Sequence, residues 1–118
     1  MQESASRRRT RPISQVEIEE SILSDIERLE AETEVFETLC EEAARAEVAY
    51  KVARAAAYLR ASGSIKEREA HAGFQTEKLA LDAKISEGRQ KYGREVLLTI
   101  REVMQGHRSL NANQRVQV

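Results

Sequence analysis

The sequence has few of the residues that build compact cores, covalent cross-links or membrane spans. Its 118 residues include one proline, one cysteine, no tryptophan, two phenylalanines and three tyrosines. The single cysteine, Cys40, excludes an internal disulfide, and no apolar run approaches the roughly 18 residues that a transmembrane helix needs. A basic start leads directly into SQVEIEESI, where a signal peptide would have an apolar region. We therefore expect a cytoplasmic protein without a membrane partner.

Motifs for catalysis or metal binding are also missing from the sequence. It has no glycine-rich phosphate loop, no nucleophile motif and no zinc-ligand spacing. His71 and His107 lie 36 residues apart with no cysteine near either, which is more typical of surface or packing residues than of metal ligands. Cys40 lies in an acidic segment that does not favour a reactive thiolate, so we interpret it as a core residue. We expect no catalytic residue, no metal and no cofactor, and therefore no enzyme.

Charged residues make up 33% of the chain, and they are unevenly distributed. Residues 1–13 hold four arginines and one glutamate, and residues 14–42 hold eleven acidic residues and one basic residue, Arg28. Residues 43–118 hold fourteen basic and eight acidic residues. The net charge of -1 therefore conceals an acidic segment followed by a basic one, and this asymmetry suggests that the two segments have different partners.

A long helix is predicted to begin after Ser14. Ser14 and Glu17 have the spacing of a capping box, in which each side chain accepts a hydrogen bond from the backbone N–H of the other residue. Small and apolar residues then recur every three or four positions, which predicts a helical seam with coiled-coil-like packing. The seam consists of Ile22, Ile26, Leu29, Thr33, Phe36, Cys40 and Ala43 and, after a shift of phase, of Ala46, Tyr50, Ala53 and Ala57.

A helix break is predicted at residues 61–64. Gly63 can adopt the left-handed conformation that ends many helices. Ser64 and Glu67 have the spacing of a second capping box, which restarts the chain as a helix. We expect an elbow or a helical hairpin at this point, and a further joint near Gly73.

The C-terminal part is predicted to form a long helix from about Phe74 to Met104, which Gly106 ends. One of its faces carries an apolar series at a period near 3.6, and we interpret that face as a packing surface. The series consists of Phe74, Leu81, Ile85, Tyr92, Val96, Ile100 and Val103. This position favours packing over base stacking for Tyr92.

Together these patterns predict an all-α protein with long helices, an elbow or hairpin at 61–64 and coiled-coil-like packing in a homo-oligomer. Residues 14–110 are expected to form a single helical domain, with a long acidic helix over 14–60 and a basic helical part over 65–105. We expect flexible tails at residues 1–13 and 111–118. The chain has too few large side chains to close a monomeric core, so surfaces of partner subunits should complete it.

Basic residues form a stripe on the last long helix, on the side away from its apolar series: Lys84, Lys91, Arg94, Arg101 and Arg108. Such a stripe can neutralise a phosphate backbone, which supplies most of the sequence-independent affinity for nucleic acids. The acidic residues Glu87, Glu95 and Glu102 share the same side and weaken its field. A solvated helix face is therefore the alternative interpretation of the stripe.

The segment of residues 58–85, YLRASGSIKEREAHAGFQTEKLALDAKI, resembles the phage recombination mediators of the UvsY type. The resemblance rests on the Tyr58–Leu59 pair, on the polar break that ends in residues 63–66, and on the run from Lys78 to Ile85. Proteins of this family are helical ring oligomers that bind single-stranded DNA and load a recombinase onto it. The resemblance implies a DNA contact at Lys84, with Lys66, Arg68 and Lys78 as further basic contacts around it. The basic stripe adds Lys91 and Arg94 to the predicted DNA-binding residues. Asp82 departs from the family, which tends to have a basic residue there.

The resemblance implies a recombination mediator that binds single-stranded DNA without a cofactor and helps a recombinase replace single-strand-binding protein. The compartment would be the host cytoplasm if a phage encodes the chain. The alternative function is a coiled-coil structural or regulatory adaptor, such as a phage scaffold or inhibitor, whose acidic helix binds a protein partner. Glutamates spaced by seven residues fit the outer stripe of a coiled coil, a docking surface or a DNA mimic: Glu20, Glu27, Glu34 and Glu41.

Overall fold

The computed structural model describes residues 14–117, and these residues form three helices and no strand. Helix α1 spans Gln15–Arg60, α2 spans Ile65–Gln75 and α3 spans Glu77–Gln117, with 46, 11 and 41 residues respectively. The predicted all-α class with long helices is therefore confirmed. The tail predicted for residues 1–13 lies outside the described residues.

Helix α1 begins with the predicted capping box. The backbone N–H of Glu17 donates to Oγ of Ser14 at 3.1 Å, and the backbone N–H of Ser14 donates to Oε2 of Glu17 at 3.2 Å. These two bonds satisfy donors that a helix start otherwise leaves without an intrahelical partner. Every residue of the predicted seam along α1 is buried or half-buried, so the positions of the seam are confirmed.

The predicted elbow at residues 61–64 is also confirmed. Gly63 has a φ of 105°, which is a conformation that L side chains rarely adopt. Ser64 is the extended N-cap of α2, and its Oγ accepts a hydrogen bond from the backbone N–H of Glu67 at 3.2 Å. The chain thus leaves α1 at Arg60 and starts a new helix at Ile65, after four intervening residues, because of local signals that the sequence shows directly.

The joint between α2 and α3 lies at Thr76 and not at Gly73, which is inside α2. Thr76 has φ −114° and ψ 15°, and it is buried. Its hydroxyl donates to the carbonyl oxygen of Ala72 at 2.7 Å, and its backbone N–H donates to the same oxygen at 3.2 Å. The threonine therefore supplies its own cap at the joint, whereas a glycine in an open position can remain helical at a cost of only about 1 kcal/mol.

The prediction that Gly106 ends the last helix is wrong, because α3 continues to Gln117. The hydroxyl of Ser109 donates to the carbonyl oxygen of Gln105 at 3.0 Å, across the position of the glycine. No proline follows, so nothing in this segment removes a backbone donor from the helix. The flexibility predicted for residues 111–118 stays a prediction.

The chain divides into two compact units. The first unit runs up to Glu30 and resumes at Leu98, and the second unit spans Ala31–Leu97. Long segments of α1 and α3 pack against each other in the described part of each unit. The single helical domain predicted for residues 14–110 stays a prediction.

In the first unit, Ile18, Ile100 and Met104 are buried between the segments of α1 and α3. Nδ1 of His107 on α3 lies 2.5 Å from Oδ2 of Asp25 on α1, so this histidine has a polar partner in the fold. The packing of this unit therefore combines a small apolar core with one half-buried polar pair.

In the second unit, α1 and α3 run antiparallel with a close approach at Gly93. A Cβ atom at Gly93 would lie 2.9 Å from Cδ1 of Leu39 and 3.2 Å from Cδ2 of Phe36. One turn earlier on α3, the side-chain amide of Gln90 donates to Sγ of Cys40 at 3.3 Å. Cys40 is thus a half-buried packing residue, as the sequence indicates. The missing side chain at Gly93 lets the two helices approach each other at this point.

Further along the same unit, small side chains leave a groove of about 550 Å³ between α1 and α3. Its walls include Ala43 and Ala44 of α1 and Ala80 and Ala83 of α3. Four large apolar side chains of this unit lie outside the groove and are exposed: Phe74 of α2 and Leu81, Ile85 and Tyr92 of α3. Among residues 14–117, these four are therefore not covered as the predicted packing surface requires, although Ile100 of the same series is buried in the first unit.

Candidate nucleic-acid interface

The six predicted DNA-binding residues all lie in the second unit. Lys66 and Arg68 are on α2, and the other four, Lys78, Lys84, Lys91 and Arg94, are on α3. Five of the six are exposed, and Arg68 is half-buried. The helices thus place most of these cations where a solvent-borne polyanion can reach them.

Lys84 and Lys91 converge on one carboxylate, that of Glu87. Nζ of Lys84 lies 3.7 Å from Oε2 of Glu87, and Nζ of Lys91 lies 3.3 Å from Oε1. The spacing explains the contact, because side chains three and four positions apart are neighbours on a helix. We call this set of three residues the Glu87 cluster. It holds two cations and one anion, so it keeps a positive net charge on an exposed surface.

The lysines change the titration of the carboxylate that they share. The hydrogen bond from Lys91 lowers the pKa of Glu87 from its ordinary value, and the positive charges of Lys91 and Lys84 lower it further. Glu87 is therefore ionised at neutral pH, with the ammonium groups of both lysines beside it. Exposed ion pairs of this kind contribute little to stability.

Arg94 extends the positive charge of the Glu87 cluster. It follows Lys91 by three positions and therefore lies on a neighbouring part of the α3 surface. Among residues 14–117, no carboxylate lies within ion-pair distance of Arg94. From Lys84 to Arg94 the helix advances about 15 Å at roughly 1.5 Å per residue, a length that can follow several phosphates of an extended strand.

The remaining predicted contacts are separate from this cluster. Lys66 and Lys78 are exposed and have no ion pair in the described part of the chain. Asp82, four positions after Lys78, does not neutralise it. Nε of Arg68 is buried and finds no hydrogen-bond partner among the described residues, so part of this guanidinium faces the protein and not the solvent.

Two basic residues on α1 in the second unit are each paired with one glutamate. Arg45 pairs with Glu41 at 2.5 Å, and Lys51 pairs with Glu47 at 2.9 Å. The shared carboxylate on α3 is therefore a different arrangement, with two cations for each anion. Glu87, which by its charge alone weakens the basic stripe, is the residue that contacts two of the stripe's lysines.

Sequence reasoning also missed Arg89, which is exposed on α3 and has no ion pair in the described chain. It lies on a different side of the helix from Lys84 and Lys91, so the predicted basic stripe does not include it.

The four spaced glutamates Glu20, Glu27, Glu34 and Glu41 are exposed, as an outer stripe requires.

The described residues contain neither a metal-binding cluster nor a membrane-spanning helix. Residues 14–117 contain no group of three or more histidine, cysteine, aspartate or glutamate side chains arranged to hold a metal ion. Within the same range, no helix combines the length and the apolar character that crossing a bilayer requires.

Comparisons with known proteins give no further identification: no family model, no curated protein and no solved structure matches this chain.

Proposed function

We propose that this protein is a recombination mediator that binds single-stranded DNA and helps a recombinase replace single-strand-binding protein. It acts without a cofactor, as a homo-oligomer, in the cytoplasm. The observation that supports this proposal best is the Glu87 cluster, in which one ionised carboxylate forms ion pairs with two exposed lysines. The local resemblance of residues 58–85 to the UvsY-type mediators provides the second line of support.

The proposed DNA contact is an electrostatic one between basic side chains and phosphates. Phosphates bound by Lys84, Lys91 and Arg94 release condensed counterions, which favours binding whatever the base sequence. Each of these side chains can donate to phosphate oxygen, a contact that carries no sequence information by itself. A mediator needs this kind of contact, because it must accept any sequence that the recombinase will cover.

The exposed carboxylates of α1 restrict where the strand can bind. Negative charges repel phosphate over a distance of about one Debye length, roughly 10 Å at 0.1 M salt. The strand is therefore expected on the surface of α3 that carries Lys84, Lys91 and Arg94. The carboxylates of α1 remain available for protein partners, for which the recombinase and single-strand-binding protein are the candidates.

A matched pair of double variants tests this assignment. Lys84→Gln with Lys91→Gln removes both cations of the Glu87 cluster, and Arg45→Gln with Arg54→Gln removes two exposed cations of α1 that do not line the groove. The two double variants have the same net charge. The first should weaken single-strand binding at least tenfold and reduce the salt slope by roughly 1.4, at about 0.7 per phosphate contact. The second should change the affinity much less.

Fluorescence anisotropy with a labelled oligonucleotide of mixed sequence measures both effects, and circular dichroism verifies that helix content is unchanged. Equal losses in the two double variants would show that only net charge matters and that the Glu87 cluster is not the site. Unchanged binding in the first variant would remove Lys84 and Lys91 from the interface.

The adaptor function remains the second candidate, and it is favoured by one observation. Large apolar side chains are exposed on both long helices of the second unit, which is typical of surfaces that bind protein. If the assembled protein binds neither single-stranded nor double-stranded DNA at low salt, the coiled-coil adaptor, such as a scaffold or inhibitor, becomes the better account.

A further inference from the structure

The outer side of α1 in the second unit carries an apolar stripe that packs against nothing in the described chain. Val48, Val52 and Leu59 are 60%, 63% and 81% exposed, and Ala55 lies between the last two on the same side. The buried seam of α1 occupies the opposite side of the helix. We call these four residues, Val48, Val52, Ala55 and Leu59, the α1 stripe.

The outer side of α3 in the same unit carries a second stripe. Leu81, Ile85 and Tyr92 are 59%, 46% and 72% exposed, and Gly88 lies between the last two. The side of α3 that faces α1 carries smaller or polar residues, among them Ala83 and Gln90. We call the four outer residues, Leu81, Ile85, Gly88 and Tyr92, the α3 stripe.

The two stripes have the same construction. Each has its members at positions i, i+4, i+7 and i+11, and each has the order large, large, small, large. Each stripe therefore covers about 16 Å of helix, with a gap at its small residue into which a large side chain from a facing helix can fit. The outer side of a solvated helix is normally polar, so two such stripes indicate surfaces that are covered in the working protein.

We propose that the α1 stripe of one copy of this chain packs against the α3 stripe of a second copy. The gaps at Ala55 and Gly88 receive large side chains from the facing stripe, as knobs enter holes in helix packing. This pairing covers both stripes with one type of interface. If each stripe paired only with its own copy, two different interfaces would be needed to cover the same residues.

Such an interface is heterologous, because the two contacting surfaces are different parts of the chain. Each subunit that has docked one neighbour still presents the other stripe, so association continues until the rotation between subunits closes a ring or an open filament forms. Lys84 and Lys91 border the α3 stripe, because Gly88 lies four positions after Lys84 and three before Lys91. The stripe itself contains no charged residue, and assembly measured without DNA tests this inference separately from DNA binding.

Two single variants test the proposal. Val52→Glu places a charge in the α1 stripe, and Ile85→Glu places a charge in the α3 stripe. Each variant alone should lose assembly, with at least a hundredfold rise in the dissociation constant. Ala49→Glu adds the same charge at an exposed position of α1 outside the stripe and should assemble like the wild type. Sedimentation velocity without DNA gives the masses, and circular dichroism verifies folding.

The mixture of the two variants gives the decisive result. The Val52→Glu chain keeps an intact α3 stripe, and the Ile85→Glu chain keeps an intact α1 stripe. One functional interface can therefore form between them, and the mixture should give a dimer of one copy of each.

Three outcomes would overturn the proposal: a monomeric wild type, a single variant that still assembles by itself, or a mixture that stays monomeric although both variants are folded. Val48→Glu and Tyr92→Glu provide a second pair if either first variant loses helix content.

Discussion

The close approach at Gly93 allows a sharp test of the packing in the second unit. Replacing a glycine inside a helix by alanine gains about 1 kcal/mol, because alanine loses less backbone freedom on folding. At Gly106 nothing lies within 4 Å of an added Cβ, so Gly106→Ala should raise the free energy of unfolding by roughly that amount. At Gly93 the same atom would lie 2.9 Å from Cδ1 of Leu39 and 3.2 Å from Cδ2 of Phe36.

Overpacking of this kind costs typically 1–3 kcal/mol, which offsets or exceeds the gain in propensity. We therefore expect Gly93→Ala to be less stable than Gly106→Ala by roughly 1–3 kcal/mol. Urea unfolding followed by circular dichroism, at one fixed protein concentration, measures the difference. In a Leu39→Ala background only the 3.2 Å contact with Phe36 remains, so Gly93→Ala should then be less destabilising than in the wild-type background. Equal stabilisation by Gly93→Ala and Gly106→Ala in the wild-type background would show that the helices are not in close contact at residue 93.

Two further predictions concern the elbow and the shared carboxylate. Gly63→Ala should lower the free energy of unfolding by roughly 1–2 kcal/mol, because residue 63 has a φ of 105°. Gly73→Ala, where an added Cβ meets open space, should raise the free energy of unfolding by up to about 1 kcal/mol. Equal effects of the two variants in urea unfolding would place residue 63 in an ordinary backbone conformation. Because the pKa of Glu87 is lowered, its ion pairs are formed above the ordinary carboxyl range and are lost as the pH falls through the lowered pKa. Lys91→Gln should raise this pKa more than Lys84→Gln does, since the hydrogen bond from Lys91 is the largest cause of the shift, and carboxyl NMR titration of the two variants would reveal the opposite order if the assignment were wrong.

The sequence predicts those parts of the fold that depend on residues close together in the chain. Ser14 and Ser64 cap α1 and α2 as their spacing indicates, and Gly63 takes the backbone conformation that a glycine permits. The seam of α1 is also recovered, because an unbroken helix repeats one face at a fixed period. In these cases the local signal and the final structure have the same physical cause.

Other features depend on the surroundings and could not be predicted in this way. Periodicity shows that Leu81 and Ile85 share a side of α3, but it does not show whether α1 or the solvent faces that side. The joint at Thr76 needs the position of a carbonyl oxygen, and the burial of Nε in Arg68 needs tertiary packing. For the candidate site, the contact of Glu87 with both lysines follows from their spacing. The absence of a carboxylate within ion-pair distance of Arg94 among residues 14–117 does not.

Binding of single-stranded DNA by the wild-type protein is the central claim, and salt-titrated fluorescence anisotropy tests it most directly. Labelled single-stranded and double-stranded oligonucleotides of equal length and mixed sequence should be compared between roughly 50 and 200 mM salt. The account predicts tighter binding to the single strand, little dependence on sequence, and an affinity that falls linearly with the logarithm of salt concentration at about 0.7 per phosphate contact. Folded and assembled protein that leaves the single strand unbound at the lowest salt would contradict it.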